Sequence, residues 1–150
     1  MLKKVDTIDN WVREIIKDDP VRPELAAEFR INDAAEIYCL WDDYTLGAIC
    51  CVMYTDGVPQ SVSEMAKLAT PMGDTAMFYT IWSYTRGSGG NLIRQASNSI
   101  LQNKSNVKSI ITLSPKTEMA EKFHLKNGAW KLRENTDTVN FAYKIDDQKD

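Results

Sequence analysis

The chain is poor in the residues that usually announce chemistry. Of its 150 residues, one is histidine and three are cysteine. His124 by itself cannot build a histidine-rich metal site. Cys39, Cys50 and Cys51 have no CxxC spacing and no histidine near them, so no metal or redox centre is expected and they read as small strand hydrophobes. Positive charge is not in surplus. A net charge of −3 argues against general affinity for nucleic acid, which needs a basic face, while leaving room for a local basic patch that takes a small anion. Long hydrophobic runs are also missing. The longest uncharged stretch, "YTLGAICCVMYT" at residues 44–55, is too short to span a bilayer and is interrupted by Gly47. The opening "MLKKVDTIDN" has two lysines but no apolar signal core behind them, so a cytoplasmic protein without a membrane partner is expected. There is no internal repeat, low-complexity run or Pro/Gly-rich linker, and 150 residues make one domain's worth of core.

What is present is alternation between helical and strand periodicity. "TIDNWVREIIKD" (7–18) places Trp11, Val12, Ile15 and Ile16 on one helical stripe, ended by Asp19-Pro20. "RPELAAEFR" predicts a short helix with Pro23 in its first turn. "AAEIYCLWDD" and "LGAICCVMY" then predict a hairpin about a "DDYT" turn. After the breaker "TDGVPQ", "SVSEMAKLA" reads as a short helix or loop. "TAMFYTIWSYT" is a strand rich in aromatic and β-branched residues. "NLIRQASNSILQN" is an amphipathic helix burying Leu92, Ile93, Ala96 and Ile100, and "VKSIITLS" a buried strand. "PKTEMAEKFHLKN" is a helix with Pro115 near its start and Gly128 as its stop. "WKLREN" and "DTVNFAYKI" supply two last strands, and "DDQKD" (146–150) a polar, frayed tail. The order predicts a single α+β domain around a mixed sheet with one parallel crossover.

The most glycine-rich segment, "RGSGG" (86–90), joins a predicted strand to a predicted helix. Glycines there let backbone N–H groups turn toward an incoming anion, and the helix adds its positive N-terminal end. Arg86 and Arg94 supply full charge at the mouth. A glycine-rich turn with nothing bound fits the same residues. The loop is not a P-loop, since no Gly-Lys-Ser/Thr follows, and it lacks the third glycine of a dinucleotide fingerprint.

With that loop in place, the order of elements resembles the GNAT acyltransferase superfamily, whose cofactor loop runs roughly Arg/Gln-x-x-Gly-x-Gly/Ala between a long strand and a helix. Arg86-Gly87-Ser88-Gly89-Gly90-Asn91 matches it except at Asn91. A closer resemblance is to the catalytic domain of the malonyl-CoA decarboxylases, which share that fold. "YTDGVPQSV", "DTAMFYTIWS", "GNLIRQ", "TLSP", "FHLKNGA" and "VNFAY" resemble six of its segments in order, across about two thirds of the chain (45–145), and Asn91 falls within the pattern. The separate helical domain of those enzymes and their long insertion between the serine and histidine segments have no counterpart here.

The resemblance implies a mostly antiparallel mixed sheet flanked by helices, with splayed central strands that admit the pantetheine arm of coenzyme A. It implies an acyl-CoA as cosubstrate, acetyl-CoA or malonyl-CoA, held at Arg86, Gly87, Ser88, Gly89, Gly90, Asn91 and Arg94. It also carries a catalytic pair onto Ser114 and His124. Ser114 ends a predicted strand, and His124 borders the helical stripe of Met119, Ala120 and Phe123. A histidine suits giving or taking a proton. Each has a plainer reading, Ser114 as a helix N-cap and His124 as a helix-face residue capping a carbonyl. Asn140 and Tyr143 face opposite sides of the last strand, so only one can line a given cleft, with Tyr143 the candidate support for His124. Three functions stay open: a malonyl-CoA decarboxylase-like activity, N-acetyl transfer from acetyl-CoA to an amine, and an acyl-CoA-binding module without turnover. Acyl transfer calls for a carboxylate base, for which Glu36 and Glu64 are the candidates, both expected to be solvated surface charges.

Overall fold

The computed structural model describes residues 1–145, so the "DDQKD" tail lies outside the described residues. The fold is α+β, built on one mixed sheet. A strand not expected from the sequence, β1 (Leu2–Lys4), forms one edge and pairs antiparallel with β2 (Ala35–Asp42). β2 and β3 (Thr45–Thr55) form the expected hairpin, with Asp43 in the left-handed region at its turn (φ 55°). β4 (Thr75–Ser83) runs antiparallel to β3, and β5 (Ser109–Thr112) lies parallel to β4. β8 (Thr138–Tyr143) pairs antiparallel with β5, with the two-residue β6 (Ser114–Pro115), and with β7 (Trp130–Glu134). Among the described residues the β4–β5 pair is the single parallel one, and its crossover is α4 (Ser88–Asn103).

Both faces of the sheet are covered. On one, Val12 and Ile16 of the N-terminal helical segment and Ala27 and Met65 pack on Ile37, Cys39, Ile49, Cys51, Met53, Met77, Tyr79 and Ile111. Here lie α1 (Asn10–Ile15), α2 (Ala27–Arg30) and α3 (Val62–Leu68). On the other, Leu92, Ile93, Ala96 and Ile100 of α4 pack on Tyr38, Cys50, Val52, Ala76, Phe78 and Ile110, the buried stripe the sequence predicts. The three cysteines are free and buried, and burial raises Cys39 to about 12 and Cys51 to about 11. No helix among the described residues is long and apolar enough to cross a membrane.

Four boundaries differ from expectation. The first helix starts at Asn10, because the Asp9 carbonyl accepts the N–H groups of Val12 and Arg13, and it tightens into a 3-10 turn over Ile16–Asp18. Pro23 does not begin a helix. The backbone there wraps around the Asp19 carboxylate, which accepts the N–H groups of Val21 and Arg22, and helix forms only at Ala27. α4 starts inside the glycine segment, at Ser88. Pro115 belongs to β6, and α5 (Glu118–Lys126) begins three residues later, capped by Thr117 Oγ1 on the Ala120 N–H. Ser114 is therefore not the cap of this helix.

The sheet opens between β4 and β5. Their pairing ends at Phe78–Thr112, with the Leu113 N–H on the Phe78 carbonyl as its last bond. Immediately beyond, Thr80 pairs with Cys51 and Phe78 with Val52, so Tyr79 is an extra residue bulged out of the β3 register. The bulge puts Tyr79 and Thr80 on the same face: Tyr79 in the α1/α2 core, Thr80 on Asp19.

Candidate active site

The glycine segment meets the requirements of an anion site in its backbone more than in its side chains. Gly87, the N-cap of α4, sits at φ 82°, a conformation that favours glycine. The N–H groups of Gly87, Gly89 and Gly90 have no acceptor among the described residues. Arg86, Asn91 and Arg94 are exposed beside them, with Arg94 donating to Asn91 Oδ1 at 3.0 Å. Ser88 differs: its hydroxyl is buried, 2.8 Å from the Gly47 carbonyl and 2.6 Å from that of Thr85, and ties the loop to β3. Gly89 and Gly90 serve packing as well. A Cβ at 90 would lie 2.4 Å from Asn127 Oδ1, and one at 89 would lie 3.2 Å from the Phe123 ring. α5 thus docks directly against the start of α4.

His124 lies on the buried side of α5, while Met119 faces outward at 82% exposed. The imidazole stacks on Phe141 of β8 (centroids 5.1 Å, 29°) and meets Phe123 and Tyr143 edge-on. Its Nδ1 is 2.7 Å from the Tyr143 hydroxyl. Burial pushes the imidazole down to about 4 and the Tyr143 phenol up, so both are neutral at pH 7. Ser114 is also buried, its Oγ 2.8 Å from Thr112 Oγ1. Thr112 Oγ1 accepts the Phe141 N–H at 3.0 Å. No hydrogen bond joins Ser114 to His124 among the described residues. Phe141 connects them instead, its N–H on the serine's partner and its ring under the histidine. Either hydroxyl of the Thr112–Ser114 pair can be the donor, and when Thr112 donates, the serine keeps its own O–H for another acceptor.

Asn140 faces the opposite side, as the spacing requires. It is fully buried and donates to the carbonyls of Thr112 (2.9 Å) and Pro59 (3.2 Å). With Arg133 on the Val58 carbonyl and Thr138 on that of Gln60, it clamps the "DGVPQ" segment onto β8. Neither carboxylate candidate is a free surface charge. Glu36 Oε1 accepts from Tyr38 (3.0 Å) and Tyr54 (2.5 Å), and Lys4 lies 3.3 Å from Oε2. Burial alone would raise its carboxyl, but these donors hold it below the usual range. Glu64 accepts the Gln60 N–H, while Ser61 caps the Glu64 N–H, a capping arrangement at the start of α3.

The sequence reading missed a buried polar cluster beneath the β4 bulge. Arg30 and Asp19 form a fully buried ion pair at 2.8 Å. Arg30 also donates to the carbonyls of Leu25 and Arg22, and Asp19 accepts from Thr80 at 2.8 Å. Arg22 donates to the carbonyl of the bulged Tyr79. Open clefts also lie elsewhere among the described residues, one of about 800 Å³ beside Trp11 and Trp41 and another of about 370 Å³ beside Glu36 and Lys104.

No protein-family model matches the sequence, and no curated protein matches it. Solved structures share its fold. Malonyl-CoA decarboxylase from Agrobacterium vitis superposes with a TM-score of 0.66 at 21% identity, over 82% of this chain and 35% of that one. A GNAT family acetyltransferase from Elizabethkingia anophelis with acetyl-CoA bound gives 0.63 at 11% identity, over 97% of each chain. The GphF GNAT-like decarboxylase in complex with isobutyryl-CoA gives 0.55 at 11%, over 71% of this chain and 76% of that one. The fold is therefore the one shared by GNAT acetyltransferases and malonyl-CoA decarboxylases, and the chain spans about a third of the decarboxylase from Agrobacterium vitis.

Proposed function

We propose that the chain is an acyl-CoA enzyme that seats the coenzyme's phosphates on the start of α4 and its thioester beside Ser114 and His124. One observation carries this reading. The unpaired N–H groups at Gly87, Gly89 and Gly90 open α4, against which α5, the helix that carries His124, docks, and the β4–β5 pairing ends at Phe78–Thr112, two residues before Ser114.

The reaction these residues suit best is decarboxylation of a malonyl-type thioester. Cleavage of the bond to the carboxylate releases CO₂ and leaves its electron pair as a thioester enolate. That enolate needs donors at oxygen and one proton at carbon. The Ser114 O–H serves as such a donor, with Thr112 donating to the serine oxygen. With Tyr143 donating to Nδ1, His124 carries its proton on Nε2, and a neutral imidazole can pass that proton on while receiving another from Tyr143. Water then reprotonates Nε2 while Nδ1 returns its proton to Tyr143, which restores the starting tautomer. Acyl transfer to an amine is the second reading, favoured by an acetyl-CoA-bound neighbour that matches the chain end to end. Against it, Glu36 and Glu64 are both already engaged.

Titration calorimetry with coenzyme A, followed by mass analysis of malonyl-CoA incubated with the protein, tests the proposal. Binding with conversion to acetyl-CoA supports it. Binding without conversion removes the decarboxylase reading, and a panel of amines with acetyl-CoA then separates a transferase from a binding module. Absence of any coenzyme A binding rejects the whole assignment.

A further inference from the structure

Arg22 is a buried cation with most of its valence unspent. It is 6% exposed, yet only one of the five N–H donors of its guanidinium has a partner, the Tyr79 carbonyl. It forms no ion pair among the described residues. The neighbouring Asp19 is fully committed, one oxygen to Arg30 and the other to Thr80 and two backbone N–H groups. No carboxylate is left to pair directly with Arg22, and burial lowers its pKa against the pull of Asp19 and Glu24, which raise it. Such a charge is costly unless an anion meets it. The side chain is also well anchored at its root: its N–H is fixed by Asp19 and its carbonyl by Arg30 at 2.7 Å. Its place matters most. Tyr79 is the first β4 residue beyond the last β4–β5 pair, so Arg22 contacts β4 at the level where the two strands part. The Tyr79 hydroxyl, on the same face, is buried and likewise without a partner.

We propose that Arg22 reads the far end of the acyl group, pairing with a carboxylate carried by the acyl chain, and so selects carboxylated acyl-CoA thioesters over neutral ones. The inference rests on the acyl-CoA reading above. It assigns Arg22 a specificity role and no part in the bond-breaking step. A guanidinium offers a carboxylate two parallel donors, which a neutral acyl terminus cannot use.

The test compares two inert thioethers of coenzyme A matched in length, S-(2-carboxyethyl)-CoA and S-propyl-CoA, neither of which can be decarboxylated or transferred. Calorimetry on the wild type is expected to show the carboxylated ligand bound about tenfold or more tighter, the usual scale of a hydrogen-bonded charge pair. In Arg22→Gln the ratio should fall to about one while S-propyl-CoA affinity stays within about twofold, and Arg22→Lys should restore part of the preference. A merely structural Arg22 would weaken both ligands together. Equal affinities in the wild type overturn the proposal without any variant, as does a ratio that survives Arg22→Gln. If coenzyme A binds but the ratio is one, only this inference falls. If nothing binds, the acyl-CoA reading falls with it.

Discussion

The Nδ1 atom of His124 and the hydroxyl of Tyr143 meet at 2.7 Å across the ring of Phe141, on which the imidazole is stacked. The contact links a helix to the last strand of the sheet, 19 residues apart in sequence. It fixes which ring nitrogen faces the protein and which faces out. Removing the phenol in Tyr143→Phe leaves Nδ1 buried without a partner and frees the ring to take either tautomer. Turnover of the acyl-CoA substrate is expected to drop by about tenfold or more, within the range of a lost proton-transfer partner. Coenzyme A affinity should be unchanged. Equal turnover in the variant would show that the pair is packing only.

Burial holds the His124 imidazole at about 4, below its ordinary 6.5. The unfolded chain then binds a proton between pH 6.5 and 4 that the folded chain refuses. This stabilisation is complete above pH 6.5 and is lost progressively as pH falls through that window, by about 3 kcal/mol in all. Melting temperatures across the window should decline on acidification, and His124→Gln should flatten that decline. A wild-type slope unchanged by the substitution would mean that other groups set it.

Thr112 is the hinge between Ser114 and Phe141. Thr112→Val keeps the shape but leaves the Phe141 N–H buried without an acceptor. The expected loss is about 1–3 kcal/mol, read from the midpoint of urea unfolding. Thr112→Ser, which keeps the hydroxyl, should recover most of it. A Thr112→Ser variant as unstable as Thr112→Val would mean that the methyl, which valine keeps and serine loses, matters as much as the hydroxyl.

Much of this architecture is legible in periodicity. The hairpin and the aromatic β4 follow from near-continuous apolar runs, because the sheet is covered on both faces, and α4 follows from its one buried stripe, whereas β7 is largely exposed. What escapes is set by single polar contacts. β1 has only three residues and no alternation to detect. Helix over 23–30 is cut short because the chain there turns around Asp19, and nothing in "DDPVRPELAAEFR" marks that carboxylate as buried. Arg22, between two prolines, reads as a loop charge until Tyr79 bulges toward it. Likewise the six resembling segments point to Ser114 and His124, but they cannot tell that Phe141 lies between them.

The Asp19–Arg30 pair makes the same point energetically. Both side chains are fully buried, 2.8 Å apart. Burial alone would raise the Asp19 carboxyl, but the N–H groups of Arg22 and Val21, then Arg30 and Thr80, outweigh it and hold the carboxyl low. Arg30→Met strands that carboxylate and is expected to cost about 3–5 kcal/mol. Asp19→Asn combined with Arg30→Met should cost less than the two single changes added, a coupling measurable in a double-mutant cycle. Simple additivity would mean that the pair contributes no more than its separate packing.

Arg86 and Arg94 are exposed, and that exposure dictates how they act on a phosphate-bearing ligand. Charges in water are screened over about 8 Å at physiological ionic strength. Their contribution to coenzyme A affinity should therefore be largest in dilute buffer and fade with salt, whereas the backbone N–H groups of Gly87, Gly89 and Gly90 act at contact distance. Arg86→Gln with Arg94→Gln is expected to weaken binding by about tenfold at low salt and by much less at ~0.5 M sodium chloride. The slope of log affinity against log salt should be shallower than in the wild type. Dephospho-coenzyme A, which lacks the ribose phosphate but keeps the pyrophosphate, locates the contact. If the variant loses the wild type's preference for coenzyme A over this analogue, the arginines serve the ribose phosphate. If the preference persists while both ligands weaken equally, the arginines serve the pyrophosphate at the α4 terminus. A salt slope identical to the wild type's would remove both side chains from the site and leave the helix start alone as the anion receptor.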